Sequence, residues 1–199
     1  MATAPGITLG RRDVVATILK ARGDALLVTG LGSPTYDACA AGDNKHNFYL
    51  WGAMGGTAMM GLGLALAQPA RRVLVITGDG DMLMGMGSLA TIAIQRPRNL
   101  SIIVLDNEHY GETGMQPTHT RHGVDLAAVA KATGFRAATT IHTAQQLKTW
   151  TPKLYNTAGP AFAVIKINTQ HVPMTLPVRD GTHVKNRFRT ALLGAKAFE

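Results

Sequence analysis

Two oxygen-bearing side chains stand at an informative spacing: Asp79 within Gly78-Asp79-Gly80, and Asn107 after 26 further residues. Asp79 follows the apolar run 73–77 and Asn107 follows the run 100–105. Both runs are short, rich in β-branched residues and bounded by turn residues, the pattern of fully buried strands. If the two strands are neighbours, their ends lie about 5 Å apart. Ligands of open α/β sheets bind at such C-terminal ends. A carboxylate and an amide oxygen there make a hard-oxygen site suited to Mg²⁺ carrying phosphate oxygens. Gly78 and Gly80 let the backbone approach an anion, and Asp81 and Met82 follow at the start of the next helix, where backbone N–H groups point outward. Asp-Gly also occurs in ordinary turns, so it is the pairing with Asn107 that carries the reading.

The surrounding chain must build a frame for these residues. The pattern predicts a helix over 11–21, a strand over 25–29, a loop over 30–34 feeding a short helix near Thr35, and an extended piece at 48–51. A helix over 54–67 opens at Gly55-Gly56, and a crossover helix over 82–94 links the two buried strands with right-handed sense. An irregular loop follows over 107–123, then a helix over 125–133 capped by Asp125, a strand over 135–139, a helix over 143–155 and a strand over 161–167. This alternation predicts an α/β fold, a parallel sheet with helices on both faces. The helices 54–67 and 83–94 are apolar or small nearly all round, and such helices are buried on every side. One sheet covers only part of each, so either a second protein surface or the chain's own loops must cover the rest. Gly85-Met-Gly-Ser-Leu-Ala90 matches a dinucleotide-binding pattern, but it lies inside the helix and not at the strand-to-helix turn where that motif works. Its glycines are read as packing sites.

In residue types and spacing the chain resembles the thiamine diphosphate (ThDP) enzyme family. Segments 47–56, 61–67, 87–92 and 106–116 resemble the cofactor-binding (beta) subunits of sulfopyruvate decarboxylases and the matching domain of phosphonopyruvate decarboxylases. The likeness spans about 24–168. It implies one diphosphate-binding domain over 1–199, with a core at 24–168 and a C-terminal extension at 171–199. It also implies ThDP and Mg²⁺ as cofactors, with Asp79, Asn107 and the backbone carbonyl of His109 on the metal. Cofactor contacts are then expected from Gly32, Ser33, Met54, Gly55, Gly78, Asp79, Gly80, Asp81, Met82 and Asn107. Position alone makes Met54 a core residue; the resemblance makes it the apolar wedge that bends the cofactor. Gly32 and Ser33 contact the diphosphate or form a plain turn.

The resemblance also fixes what is missing. Such enzymes need a pyrimidine-binding domain, which supplies an activating glutamate. None of Glu108, Glu112 or Glu199 stands in matching context, so a pyrimidine-binding (alpha-type) partner subunit in a hetero-oligomer is expected. The implied activity is decarboxylation of a small anionic 2-oxoacid, sulfopyruvate first and phosphonopyruvate second. An acetolactate synthase-like carboligase and a non-catalytic ThDP-fold regulatory subunit are the alternatives. His109, His119 and His122, in the loop after Asn107, are candidates for proton transfer or for holding an acidic group. Their spacing does not make a zinc site.

Composition narrows the classes. The formal net charge is +8, but Lys and Arg are scattered and no aromatic residues interleave with them, so the charge suits anionic small ligands and not nucleic acid. Cys39 is the sole cysteine, so there is no disulfide framework, and a cytoplasmic setting is expected. The N-terminus shows no signal-peptide pattern, and no apolar run is long enough for a membrane span. Pro173 and Pro177 interrupt the tail, and a basic helix over 185–198 is expected to dock on a neighbouring subunit.

Overall fold

The computed structural model describes residues 7–199. Six strands form one parallel sheet: β1 (Leu26–Thr29), β2 (Asn47–Tyr49), β3 (Val73–Gly78), β4 (Leu100–Asp106), β7 (Ala137–Ile141) and β8 (Ala161–Lys166), in the order β2-β1-β3-β4-β8-β7. Between β4 and β7, a separate antiparallel pair is made by β5 (His109–Tyr110) and β6 (Gln116–Pro117). Strand order reverses between β1 and β3, which opens a crevice at their C-terminal ends, the usual ligand position in such sheets.

Period-2 alternation distributes the central strands between two cores. Val73 and Val75 face one core with Ile102, Val104 and Phe162, while Leu74 and Ile76 face the other with Ile103, Leu105 and Ile165. The second core is covered by α1 (Arg11–Lys20), α2 (Ser33–Ala40) and, further along the chain, a helix at Ala144–Asn156. The first is covered by α3 (Thr57–Ala67), α4 (Asp79–Met84), α5 (Ser88–Gln95) and α6 (Leu126–Thr133). The Ala144–Asn156 helix is α7; its N-cap Thr143 forms a reciprocal capping box with Gln146, which satisfies two backbone donors at once. Asp125 caps α6 as expected, accepting from the amides of Ala127 and Ala128.

Four boundaries differ from expectation. The crossover is two helices, α4 and α5, broken at Gly85–Gly87 and beginning at Asp79 instead of residue 82. The break has a tertiary cause: a Cβ on Gly85 would lie 2.1 Å from the carbonyl oxygen of Gly55, so the two backbones touch. Helix α3 starts at Thr57 and not at residue 54, because Ala53 (φ 59°) and Gly55 (φ 87°) adopt left-handed conformations that no helix continues. Strand β7 starts at Ala137 instead of residue 135, since Gly134 (φ 108°) ends α6 and Phe135 turns inward to pack edge-on against Phe162 at 5.7 Å. The loop 107–123 is also more regular than expected, holding the β5–β6 hairpin and a 3-10 turn, His119–His122.

The tail forms α8 (Gly181–Leu193), capped by Asp180, followed by a 3-10 turn at Gly194–Phe198. It packs on its own chain at the β2 edge: Phe188 meets Phe48 edge-on at 5.4 Å, and Arg187 pairs with Asp43 at 2.6 Å. Among the described residues, the chain's own loops do not cover the apolar helices. Met59 and Met60 on α3, Met84 on α4 and Ile94 on α5 are all exposed, Ile94 at 77%.

Candidate active site

The ends of β1, β3, β4 and β8 open into a cavity of about 500 Å³, a size that takes a cofactor. Ser33 enters from the turn after β1, Gly78, Asp79, Gly80 and Asp81 from β3, Asn107 and His109 from β4, and residues 167–172 from β8, with Met54 on the rim. Seven of the expected cofactor residues thus share one cavity: Ser33, Met54, Gly78, Asp79, Gly80, Asp81 and Asn107. Gly32, Gly55 and Met82 do not line it. Met82 is core, Gly55 forms the turn under Met54, and Gly32 (φ 71°) starts α2, where a Cβ would lie 2.6 Å from a carboxylate oxygen of Glu112.

Register sets the geometry. Gly78 pairs with Leu105, so the next residues outward are Asp79 and Asp106, and Asn107 lies one step beyond. Asp79 is 2% exposed. Thr118 Oγ1 donates to its Oδ2 at 2.6 Å, and Thr120 Oγ1 lies 3.4 Å from the same oxygen while donating to Asp106 Oδ1 at 2.8 Å. The two hydroxyl oxygens are 2.9 Å apart. Two hydroxyl hydrogens thus meet four close contacts, and the two shortest fall on the carboxylates of Asp79 and Asp106. Burial, and next the charge of Asp106, push the Asp79 carboxyl up to about 7. Lys166 Nζ balances Asp106 at 2.7 Å and reaches Glu108 at 2.9 Å. Burial opposes charge on Glu108, but Lys166 and then Arg121 (3.3 Å) outweigh it and hold the carboxyl below the usual range.

Asn107 is fixed by a tight turn. Its Oδ1 accepts from the His109 amide at 2.9 Å, and its own carbonyl accepts from His109 Nδ1 at 2.8 Å. Glu108 takes φ 64° in between, which aims its side chain away to Lys166 and Arg121. Asp81 holds the opposite rim: one carboxylate oxygen accepts from the Gly55 amide and the other from the Thr77 hydroxyl. That clamp positions Met54, whose Cε lies 3.3 Å from where a Gly80 Cβ would stand. Tyr110 packs on the same glycine, its ring 2.7 Å from that point, so no other residue fits there.

The donor set fits a magnesium-bound diphosphate. The hydroxyl hydrogen bonds to Asp79 fall on Oδ2, the residue borders the cavity, and a Cβ on Gly78 would meet nothing within 4 Å. Among the described residues no three His, Cys, Asp or Glu side chains converge as a metal cage. A cation here would complete its shell with backbone, water and ligand oxygens, as Mg²⁺ does when it carries phosphates.

Of the candidate histidines, His109 is buried and lines the cavity, whereas His119 and His122 are exposed on the 3-10 turn outside it. His171 lines the cavity and was not expected there. It belongs to a segment that runs back across the sheet end after β8. Arg11 donates to the carbonyl of Val172 at 3.2 Å and Arg12 to that of Pro173 at 2.7 Å. Both guanidinium groups also bind the fully buried Asp37, at 2.6 and 3.1 Å. Sequence spacing gives no signal for this strap, nor for Thr118, Thr120 and Lys166, because each meets its partner only across the sheet.

Among the described residues no helix is long and apolar enough to cross a membrane. Residues 35–165 match the family described as thiamine pyrophosphate enzyme, C-terminal TPP binding domain. Sulfopyruvate decarboxylase subunit beta of Methanothermobacter thermautotrophicus is 35% identical over 190 residues, 94% of this chain and 97% of that one. Phosphonopyruvate decarboxylase of Streptomyces viridochromogenes is 46% identical over 114 residues, 57% of this chain but 28% of that one. A putative thiamin diphosphate-dependent enzyme from Mycobacterium smegmatis shares the fold, with a TM-score of 0.70 and 22% identity over 85% of this chain, which spans 33% of that structure's length. The chain therefore belongs to the thiamine pyrophosphate enzyme family and carries its C-terminal TPP binding domain.

Proposed function

We propose that this chain is the diphosphate-binding subunit of a ThDP- and Mg²⁺-dependent 2-oxoacid decarboxylase that converts sulfopyruvate to sulfoacetaldehyde and CO₂. The observation that carries the reading is the meeting of Asp79, Asn107 and Met54 in one cavity. Asp79 Oδ1, the Asn107 amide oxygen and the His109 carbonyl hold the metal. Gly78 and Gly80 admit the diphosphate, Ser33 borders it at the start of α2, and Met54, held by the Gly55–Asp81 clamp, wedges the cofactor rings apart. Bound there, ThDP supplies the nucleophilic carbon and the electron sink that loss of CO₂ requires. Asn168, Gln170 and His171 line the wall after β8 and present polar groups to an anionic substrate. His109 and His171 are the imidazoles available there for moving a proton.

A pyrimidine-binding partner completes the site. Glu108 is turned away into its ion pairs, and Glu112, which borders the cavity, lies against Gly32 at the start of α2 and not in the context of the family's glutamate. The activating carboxylate is assigned to the partner. The exposed Met59 and Met60 on α3, Met84 on α4 and Ile94 on α5 form the surface that such a partner covers. The reading is supported by the near full-length match to a protein named as a beta subunit.

The test is to purify the native complex, identify its chains, and assay CO₂ release from sulfopyruvate with ThDP and Mg²⁺. A co-purifying second chain with aldehyde product is the expected result. Activity of this chain alone would overturn the subunit assignment. Turnover of phosphonopyruvate only would move the substrate, and a hydroxyketone product would make the enzyme a carboligase. Full activity in an Asp79→Ala complex would reduce this chain to a non-catalytic subunit.

A further inference from the structure

Resting on that reading of the metal site, we propose that Thr118 is a positioning residue that restricts Asp79 to one coordinating oxygen, and so selects a small six-coordinate cation over Ca²⁺. Thr118 is completely buried. Its amide donates to the Glu108 carbonyl at 2.9 Å, which ties it to the turn presenting Asn107 and His109. Its hydroxyl donates to Asp79 Oδ2 at 2.6 Å, a length typical of a strong bond to a carboxylate. Thr120 crowds the same oxygen from 3.4 Å and is itself anchored on Asp106, which Lys166 grips from its far side. Oδ2 is thus held by Thr118 and crowded by Thr120, while neither hydroxyl bonds Oδ1.

This arrangement discriminates between cations by geometry. Mg²⁺ demands an octahedron at about 2.0–2.1 Å and accepts single carboxylate oxygens, whereas Ca²⁺ takes six to eight oxygens at about 2.3–2.6 Å and often both oxygens of one carboxylate. Rotating Asp79 to offer both oxygens would break the Thr118 bond and leave that buried hydroxyl only Thr120 Oγ1, 2.9 Å away. Partners of a ligating carboxylate typically change metal affinity about 10- to 100-fold when removed. Removing the hydroxyl should therefore weaken Mg²⁺ and release the constraint that disfavours Ca²⁺.

The experiment uses the intact complex with its partner subunit, stripped of metal. ThDP binding is followed by tryptophan fluorescence during separate Mg²⁺ and Ca²⁺ titrations of the wild type, Thr118→Val, Thr118→Ser and Asp79→Ala. We expect Thr118→Val to lower Mg²⁺ affinity about 10- to 100-fold and to shift the Ca²⁺-to-Mg²⁺ affinity ratio toward Ca²⁺. Thr118→Ser, which keeps the hydroxyl, should restore both. An unchanged ratio in Thr118→Val, or no rescue by serine, would overturn the proposal while Asp79→Ala still abolishes metal-dependent binding. Should Thr118→Val not fold, the carboxylate stretching bands of the wild type on adding Mg²⁺ decide the matter: the splitting of a one-oxygen ligand supports it and a two-oxygen pattern refutes it. Wild-type binding of ThDP without any divalent ion, or normal Mg²⁺ binding by Asp79→Ala, would instead defeat the metal-site reading beneath it.

Discussion

Replacing Gly85 by alanine tests whether the break between α4 and α5 positions the cofactor rim. The new Cβ would stand 2.1 Å from the Gly55 oxygen and 2.9 Å from its carbonyl carbon. Carbon–oxygen contacts that short do not persist, so one backbone must retreat by about an ångström, in line with the distortions that overpacking forces. The Gly55 side cannot yield freely, because its amide is bound to Asp81 and its φ of 87° already confines it. Overpacking of this kind costs about 1–3 kcal/mol. Because Met54 precedes the displaced turn, ThDP affinity should fall together with stability. Gly87→Ala is the matched control two residues on: a Cβ there meets nothing within 4 Å, and its backbone is helical (φ −60°, ψ −23°). That substitution should be neutral or stabilise by up to about 1 kcal/mol through the unfolded chain. Urea unfolding of both variants, with ThDP titrations at fixed Mg²⁺, makes the comparison. If Gly85→Ala proves as stable as Gly87→Ala and binds ThDP like the wild type, the close approach is not what breaks the helix, and the coupling to Met54 falls with it.

Three further outcomes follow from the packing. Asp37→Ala leaves Arg11 and Arg12 without their buried partner and should cost about 3–5 kcal/mol in urea unfolding, with faster proteolysis at 168–174 as the strap on Val172 and Pro173 loosens. At Asp43, burial raises the carboxyl but the Arg187 bond and then Tyr49 outweigh it and set it below its ordinary 3.8. A depressed acid stabilises the fold above its unfolded value and loses that contribution as pH falls through the folded one, so amide-exchange protection across residues 181–193 should fall below about pH 4, whereas Asp43→Asn should show the lowered protection at neutral pH already, with no further step from this pair. Ile94→Lys, at a site 77% exposed, should change the stability of the isolated chain by less than about 0.5 kcal/mol yet weaken partner binding in sedimentation; unchanged binding would remove the α3–α5 face from the interface.

The parts legible in the sequence are those where local pattern and tertiary role coincide. Strands β3 and β4 are buried on both faces, so each is a continuous apolar run, and the residues leaving their C-terminal ends are site residues by topology alone. That logic reached Asp79 and Asn107, while Met54 came only from the resemblance. It stopped where one residue's role depends on register or on distant chain. Spacing set Asp79 against Asn107, but the ladder ends with Gly78 opposite Leu105, which brings in Asp106 first. A second buried carboxylate there demands a counter-charge and hydroxyl donors. Lys166, Thr118 and Thr120 supply them from three other elements, and none has a neighbour in sequence that announces it. The crossover helix shows the same limit from the other side. Its apolar run 82–94 satisfies a single helix, and only the contact with Gly55, some thirty residues earlier, divides it. Helix patterning records what an element buries, not which backbone it must let pass. The exposed methionines obey that rule as well: their pattern demands a cover that the described residues do not provide.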